Sequence, residues 1–189
     1  GKSHHISIVS KYLKKKKISH IKIREPGGNP NSEKIRNLIL NNKSNFNKNT
    51  DLLLYMAARS ENINIIKKAY NKKVILIDRF TDSTIAYQHF GMGVDLNLIK
   101  TLNNFLLKNI KVSFTFLNIV NQKNLQKRLK QRKSLNRYDK FNISFYNKVQ
   151  KGFIRLSKKQ KNRYQLIDSN LEIDKNEKLI LDKINKLIK

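Results

Sequence analysis

The chain has 189 residues, 39% of them hydrophobic, which suits one globular domain with a core of its own. It has no cysteine, so disulfide scaffolds and thiolate metal sites are excluded, and its four histidines show no metal-ligand spacing. The net charge of +28 would suit a nucleic-acid partner, but Lys dominates the 41 basic residues of a chain also crowded with Asn and Ile, so the charge reads as compositional drift over solvated faces.

Gly1-Lys2-Ser3 matches the end of the phosphate-binding motif G-x-x-x-x-G-K-[ST]. In that motif backbone amides cradle phosphate, Lys reaches the outer phosphates and the hydroxyl holds Mg²⁺. Ile6, Val9 and Leu13 predict a helix over 3–16, and the alternation of ISHIKI (18–23) predicts a strand. REPGGNP (24–30) follows, with two prolines and two glycines that forbid regular structure. A helix is expected from Ser32, and a second, capped by Thr50, runs to about 71. VILI (74–77) is short, apolar and β-branched, and reads as a buried parallel strand ending in Asp78-Arg79. Helices are predicted over 81–89 and 95–108, separated by Gly91-Met92-Gly93. A strand over 112–119 leads to a helix over 121–133 and a basic loop at 132–140. Phe145, Val149, Phe153 and Leu156 mark the next helix; the strand at 163–167 ends at Asp168, and a last helix carries Leu179, Ile180, Ile184 and Leu187. No apolar run approaches the roughly 20 residues that cross a membrane, and no signal-peptide pattern is visible.

Strands alternating with helices imply α/β architecture with a parallel sheet. Arg24-Glu25, Asp78-Arg79, Asn118 and Asp168 all fall at the C-terminal ends of predicted strands. Those ends form one rim, where open parallel sheets bind ligands. A helix opening at Lys2-Ser3 would aim its N-terminus, a phosphate-binding feature, at the same rim.

The segments GKS, REPGG, LLLYMAARSE and DRFTDSTIAYQ, in this order and spacing, resemble the bacterial thymidylate kinases, and the resemblance runs from Gly1 to the last helix. It implies one P-loop nucleotide kinase domain over 1–189, a three-layer parallel sheet of order 2-3-1-4-5 and a short LID at 132–140. It also implies a cytoplasmic homodimer that moves the γ-phosphoryl group of ATP to dTMP with Mg²⁺, while the lack of a long apolar run and the drift-like charge argue against membrane and nucleic-acid partners. Gly1, Lys2 and Ser3 would take the phosphates, with Ser3 and Asp78 on the metal. Arg79 and Arg59 would grip dTMP, Tyr55 would stack on thymine, and Thr84, Tyr87 and Gln88 would read the base and crowd the 2′ position. Glu25 and Pro26 would frame the opposite wall, while Arg132 and Arg137 would supply catalytic charge from the LID. Arg is the better residue for these contacts, because its planar fork matches phosphate as Lys does not.

Two departures stand out. His4-His5 occupies positions where the family usually has Thr-Gln, and the family's central first strand and the start of its P-loop have no counterpart before Gly1. The chain therefore reads as N-terminally truncated, and both outcomes, active and inactive, stay open for the fragment. If the slot of the first strand is vacant, the strands at 74–77 and 112–118 should share no ladder, and Lys2 and Ser3 should face Asp78. Another P-loop deoxynucleoside kinase and a basic nucleic-acid-binding module are the rival readings.

Overall fold

In α1 (Lys2–Lys15), Val9 and Leu13 lie one turn apart on the inward face, and both are buried. They join Ile167, Ile180 and Ile184, with Val74, Leu76 and Phe116 packed against the group. This one cluster ties α1 and α8 (Ile173–Leu187) to strands from both halves of the chain. The computed structural model describes residues 2–131 and 134–188.

β1 (His20–Arg24) pairs in parallel with β2 (Val74–Asp78), placing His20 opposite Val74 and Arg24 opposite Asp78. β3 (Thr115–Ile119) pairs in parallel with β4 (Tyr164–Asp168), placing Thr115 opposite Tyr164 and Ile119 opposite Asp168. Among the described residues these form two separate two-stranded sheets, and no ladder joins β2 to β3. Burial differs from expectation for that reason. VILI reads as a fully buried strand, yet every residue of β2 is half-buried, since only one of its edges is paired.

Helix starts also differ from the sequence reading. α2 (Pro30–Leu40) begins before Ser32, because Asn29 caps it by accepting from Ser32 N at 2.9 Å and Pro30 supplies a preset first turn. α3 (Lys48–Ala69) is capped by Asn47, which accepts from Asn49 N and Thr50 N, so Thr50 lies inside the helix. The expected helix at 81–89 is α4 (Thr81–Thr84) running into a π-helical stretch, Ile85–Gly91. Such wide turns are uncommon and often occur at functional sites. α5 (Leu96–Leu107), α6 (Gln122–Lys130) and α7 (Ile143–Lys159) complete the set. The basic loop contains a 3₁₀ turn, Arg137–Lys140, closed by a reciprocal cap between Asn136 and Asp139, and it buries Tyr138. None of the described helices is long and apolar enough to cross a membrane.

Candidate active site

The loop after β1 is held by two helices, α2 and α3. Glu33 on α2 accepts from Arg24 Nη2 at 2.6 Å and from Gly28 N at 2.8 Å, and Arg36 donates to Pro26 O at 2.8 Å. Ser32 Oγ accepts from Gly27 N and donates to Ala58 O on α3, both at 2.9 Å, while Asn62 donates to Gly27 O at 2.8 Å. Gly27 and Gly28 sit at φ +110° and +104°, where side chains with a Cβ are strained, so the turn requires glycine twice. Pro26 is buried and follows a cis peptide bond.

Behind this loop lies a buried charge pair. Arg59 Nε donates to Glu25 Oε2 at 2.8 Å, Nη1 to Asn103 Oδ1 at 2.6 Å, and Nη2 to Thr84 Oγ1 at 3.0 Å. The guanidinium also lies over the Phe80 ring, and its side chain is only 2% exposed. The sequence reading puts Arg59 on the substrate; in the structure Glu25, Asn103, Met56 Sδ and Thr84 take four of its five N–H groups, which leaves one Nη2 hydrogen for that contact. Burial pushes the Glu25 carboxyl up, against the pull of Arg59.

Arg79 leaves β2 with φ +67°, an uncommon conformation for a residue with a side chain. Its guanidinium lies over Tyr87, 4.9 Å from the ring centroid, with Nη2 donating to the Tyr87 hydroxyl at 3.2 Å. Arg36 stands nearby. Burial, then the adjacent Arg24 charge and the weaker effect of Arg79, lower its hold on its proton. Arg24 is paired with Glu33, which leaves Arg36 and Arg79 as the guanidinium groups that could meet an anion beside the C-terminal ends of β1 and β2. Tyr55, Tyr87 and Tyr138 form edge-on contacts with centroids 5.8–6.0 Å apart, and Phe141 and Phe145 continue the wall. Burial raises the Tyr55 and Tyr138 hydroxyls, so both stay neutral donors.

Gln88 is enclosed on the π-helical stretch and donates to Asp51 Oδ2 at 3.0 Å and to Tyr138 Oη at 3.1 Å. Asp51 also accepts from the Tyr138 hydroxyl and from Arg137, whose Nε donates to Ile39 O. Arg137, expected over ATP, is therefore tied to α2 and α3 in this structure. Gly1 and Arg132 lie outside the described residues, as does the Lys2 side chain. Ser3 is exposed on the first turn of α1, and Asp78 ends β2 half-buried. The described residues contain no cluster of three or more His, Asp or Glu suited to a metal. One carboxylate and one hydroxyl fit a Mg²⁺ ion that keeps its waters and binds substrate phosphates.

The sequence model of the thymidylate kinase family matches residues 1–180. The chain belongs to the thymidylate kinase family. It is 38% identical over 176 residues to the thymidylate kinase of Thermosipho africanus, covering 92% of this chain and 87% of that one. Identity to the Kosmotoga olearia thymidylate kinase is 31% over 177 residues, covering 93% and 85%. The crystal structure of the Ehrlichia chaffeensis thymidylate kinase superposes with a TM-score of 0.75 at 30% identity, covering all of this chain and 92% of that one. The mixed helix and strand architecture is thus that of a thymidylate kinase. Arg36, Asp51, Asn62, Asn103 and Tyr138 take part in this site without having been singled out in the sequence. Only Arg36 carried a signal there, as an Arg in a Lys-rich chain lying just after REPGG.

Proposed function

We propose that the chain transfers the γ-phosphoryl group of ATP to dTMP, giving dTDP and ADP. Arg36 and Arg79 beside the Tyr55–Tyr87 wall carry the proposal, since they offer phosphate and base recognition side by side. Arg79 and Arg36 bind the dTMP phosphate, and Tyr55 stacks on thymine. Tyr87 crowds the 2′ position, and Thr84 and Gln88 read the base. Glu25 and Pro26 frame the far wall, and Arg59 holds Thr84 and Glu25 in place while offering its second Nη2 hydrogen to dTMP. Gly1, Lys2 and Ser3 serve the ATP phosphates, with Ser3 and Asp78 holding Mg²⁺, which when bound neutralises charge on the transferring group. The segment 132–140 is the LID of the single domain over 1–189, with Arg132 and Arg137 supplying charge on closure.

The finer architecture belongs to the same proposal. β1 to β4 correspond to strands 2, 3, 4 and 5 of an order 2-3-1-4-5, with a first strand placed between β2 and β3. The missing β2–β3 ladder among the described residues supports this placement. A cytoplasmic homodimer is included. Leu53, exposed on the side of α3 away from the site, and Leu98 and Phe105 on α5 are large apolar groups that suit an interface. The test is a panel of dTMP, dUMP, dCMP and thymidine with ATP and Mg²⁺, read by ADP release and by calorimetric binding. Preference for dTMP is expected. A preference for thymidine would refute the assignment and favour a deoxynucleoside kinase.

A further inference from the structure

Side chains from two distant stretches of the chain, Gln88 and Arg137-Tyr138, meet at Asp51, which is 1% exposed. Its Oδ2 accepts from Gln88 Nε2 and from the Tyr138 hydroxyl, its Oδ1 accepts from Arg137, and the Tyr138 oxygen accepts from Gln88 Nε2. The direction of each bond follows from chemistry alone. A carboxylate only accepts, so the Gln88 atom facing it must be the amide nitrogen. The phenol gives its one proton to Asp51, so it receives the second amide hydrogen. Both donors of Gln88 are then used, and Oε1 is left as an acceptor. Among the described residues that oxygen is buried without a hydrogen-bond partner. A buried acceptor is costly to leave unmet, and what it lacks is a donor.

We propose that Asp51 is a positioning residue for the acceptor nucleotide, locking the Gln88 amide so that its oxygen selects a base offering an N–H donor, as the thymine imide does, over one offering an acceptor nitrogen there, as cytosine does. The inference rests on the dTMP assignment above and adds the residue that sets the base preference. It also accounts for the use of an acid at this place. Asn could present either amide atom to Gln88 and would let it turn over, whereas Asp permits one orientation. Because Tyr138 is part of the lock, the 136–140 segment takes part in base selection as well.

The test is calorimetric binding of dTMP and dCMP to the wild-type chain and to Asp51→Asn, Tyr138→Phe, Gln88→Leu and Asp51→Asn/Gln88→Leu, with thermal melts to establish folding. Asp51→Asn should weaken dTMP binding about tenfold while dCMP changes much less, so that discrimination shrinks. Should that variant fail to fold, Tyr138→Phe keeps the Arg137 pair and removes one strut of the lock; it should narrow discrimination about threefold. Adding Asp51→Asn to Gln88→Leu should not change the dTMP/dCMP ratio further. Equal losses for both nucleotides would make Asp51 a mere anchor for Arg137 and overturn the inference, as would additive effects in the double variant. Unchanged discrimination in a folded Tyr138→Phe protein would do the same. A wild-type chain that binds neither nucleotide would overturn the dTMP assignment and this inference together.

Discussion

Replacing Arg59 by Met keeps a long apolar stem and removes only the guanidinium. What remains is Glu25, 4% exposed, with its counter-charge gone. Breaking a buried pair by removing one partner costs about 3–5 kcal/mol, and the orphaned oxygens of Asn103 and Thr84 add about 1 kcal/mol each before repacking offsets part of it. A loss of about 4 kcal/mol is a large share of a domain stability of roughly 5–15 kcal/mol. The loss should depend on pH, because burial already raises the Glu25 carboxyl and removing Arg59 raises it further. A carboxyl whose folded pKa lies above its unfolded value stabilises the fold most below the unfolded pKa, and that contribution is lost as pH rises through the folded pKa. Urea unfolding followed by circular dichroism should therefore show Arg59→Met losing more at about pH 7.5 than at about pH 5. Arg59→Met/Glu25→Gln should recover much of the deficit, since no buried charge is then left unpaired. A loss below about 1 kcal/mol at the higher pH, or a double variant no more stable than the single one, would refute the reasoning.

Arg79→Lys keeps the charge but loses the planar fork, and steady-state kinetics should show kcat/KM falling roughly 100-fold; near-normal turnover would remove Arg79 from the site. Gly28→Ala places a Cβ at φ +104° and about 3.1 Å from Arg24 O, so thermal unfolding should report a loss of about 1–3 kcal/mol. Phe105, 74% exposed on α5, should hold the dimer together: sedimentation should find Phe105→Glu monomeric, and an unchanged sedimentation coefficient would place the interface elsewhere.

What could be seen in the sequence was local. Val9 and Leu13 announced the inner face of α1, and the alternation and apolar runs located four strands, each within a few residues of its true ends. β3 was the least well placed, beginning at Thr115 rather than 112, because Val112 and Phe114 continue the apolar run without pairing. Capping is hard to place where polar residues crowd together: Asn47, three residues ahead of the expected Thr50, caps α3. The π-helical stretch has no periodic signature, since its composition differs little from that of an α-helix. Asp51 was invisible for a different reason. Its partners lie 37, 86 and 87 residues away, and a contact at that separation leaves no trace in spacing. Arg59 stood out as an unusual Arg, but the residues that enclose it, Asn103 and Thr84, came together only through folding.

α3 faces four parts of the chain at once. Asp51 reaches the 136–140 segment and the π-helical stretch, Tyr55 meets Tyr138, Arg59 holds Glu25 and Thr84, and Asn62 holds the glycine turn. These positions share one side of the helix, and each added or deleted residue turns a helix by about 100°. A single insertion between 51 and 62 would swing part of this set away from its partners, whichever residue was inserted. In this stretch length is constrained more tightly than identity: Tyr55 could be exchanged for another aromatic, but the count of residues could not change. The polar stretch 41–45 is the converse case: ahead of Phe46, which lies under the Arg137 guanidinium, and of the capping Asn47, the chain should accept extra residues more readily.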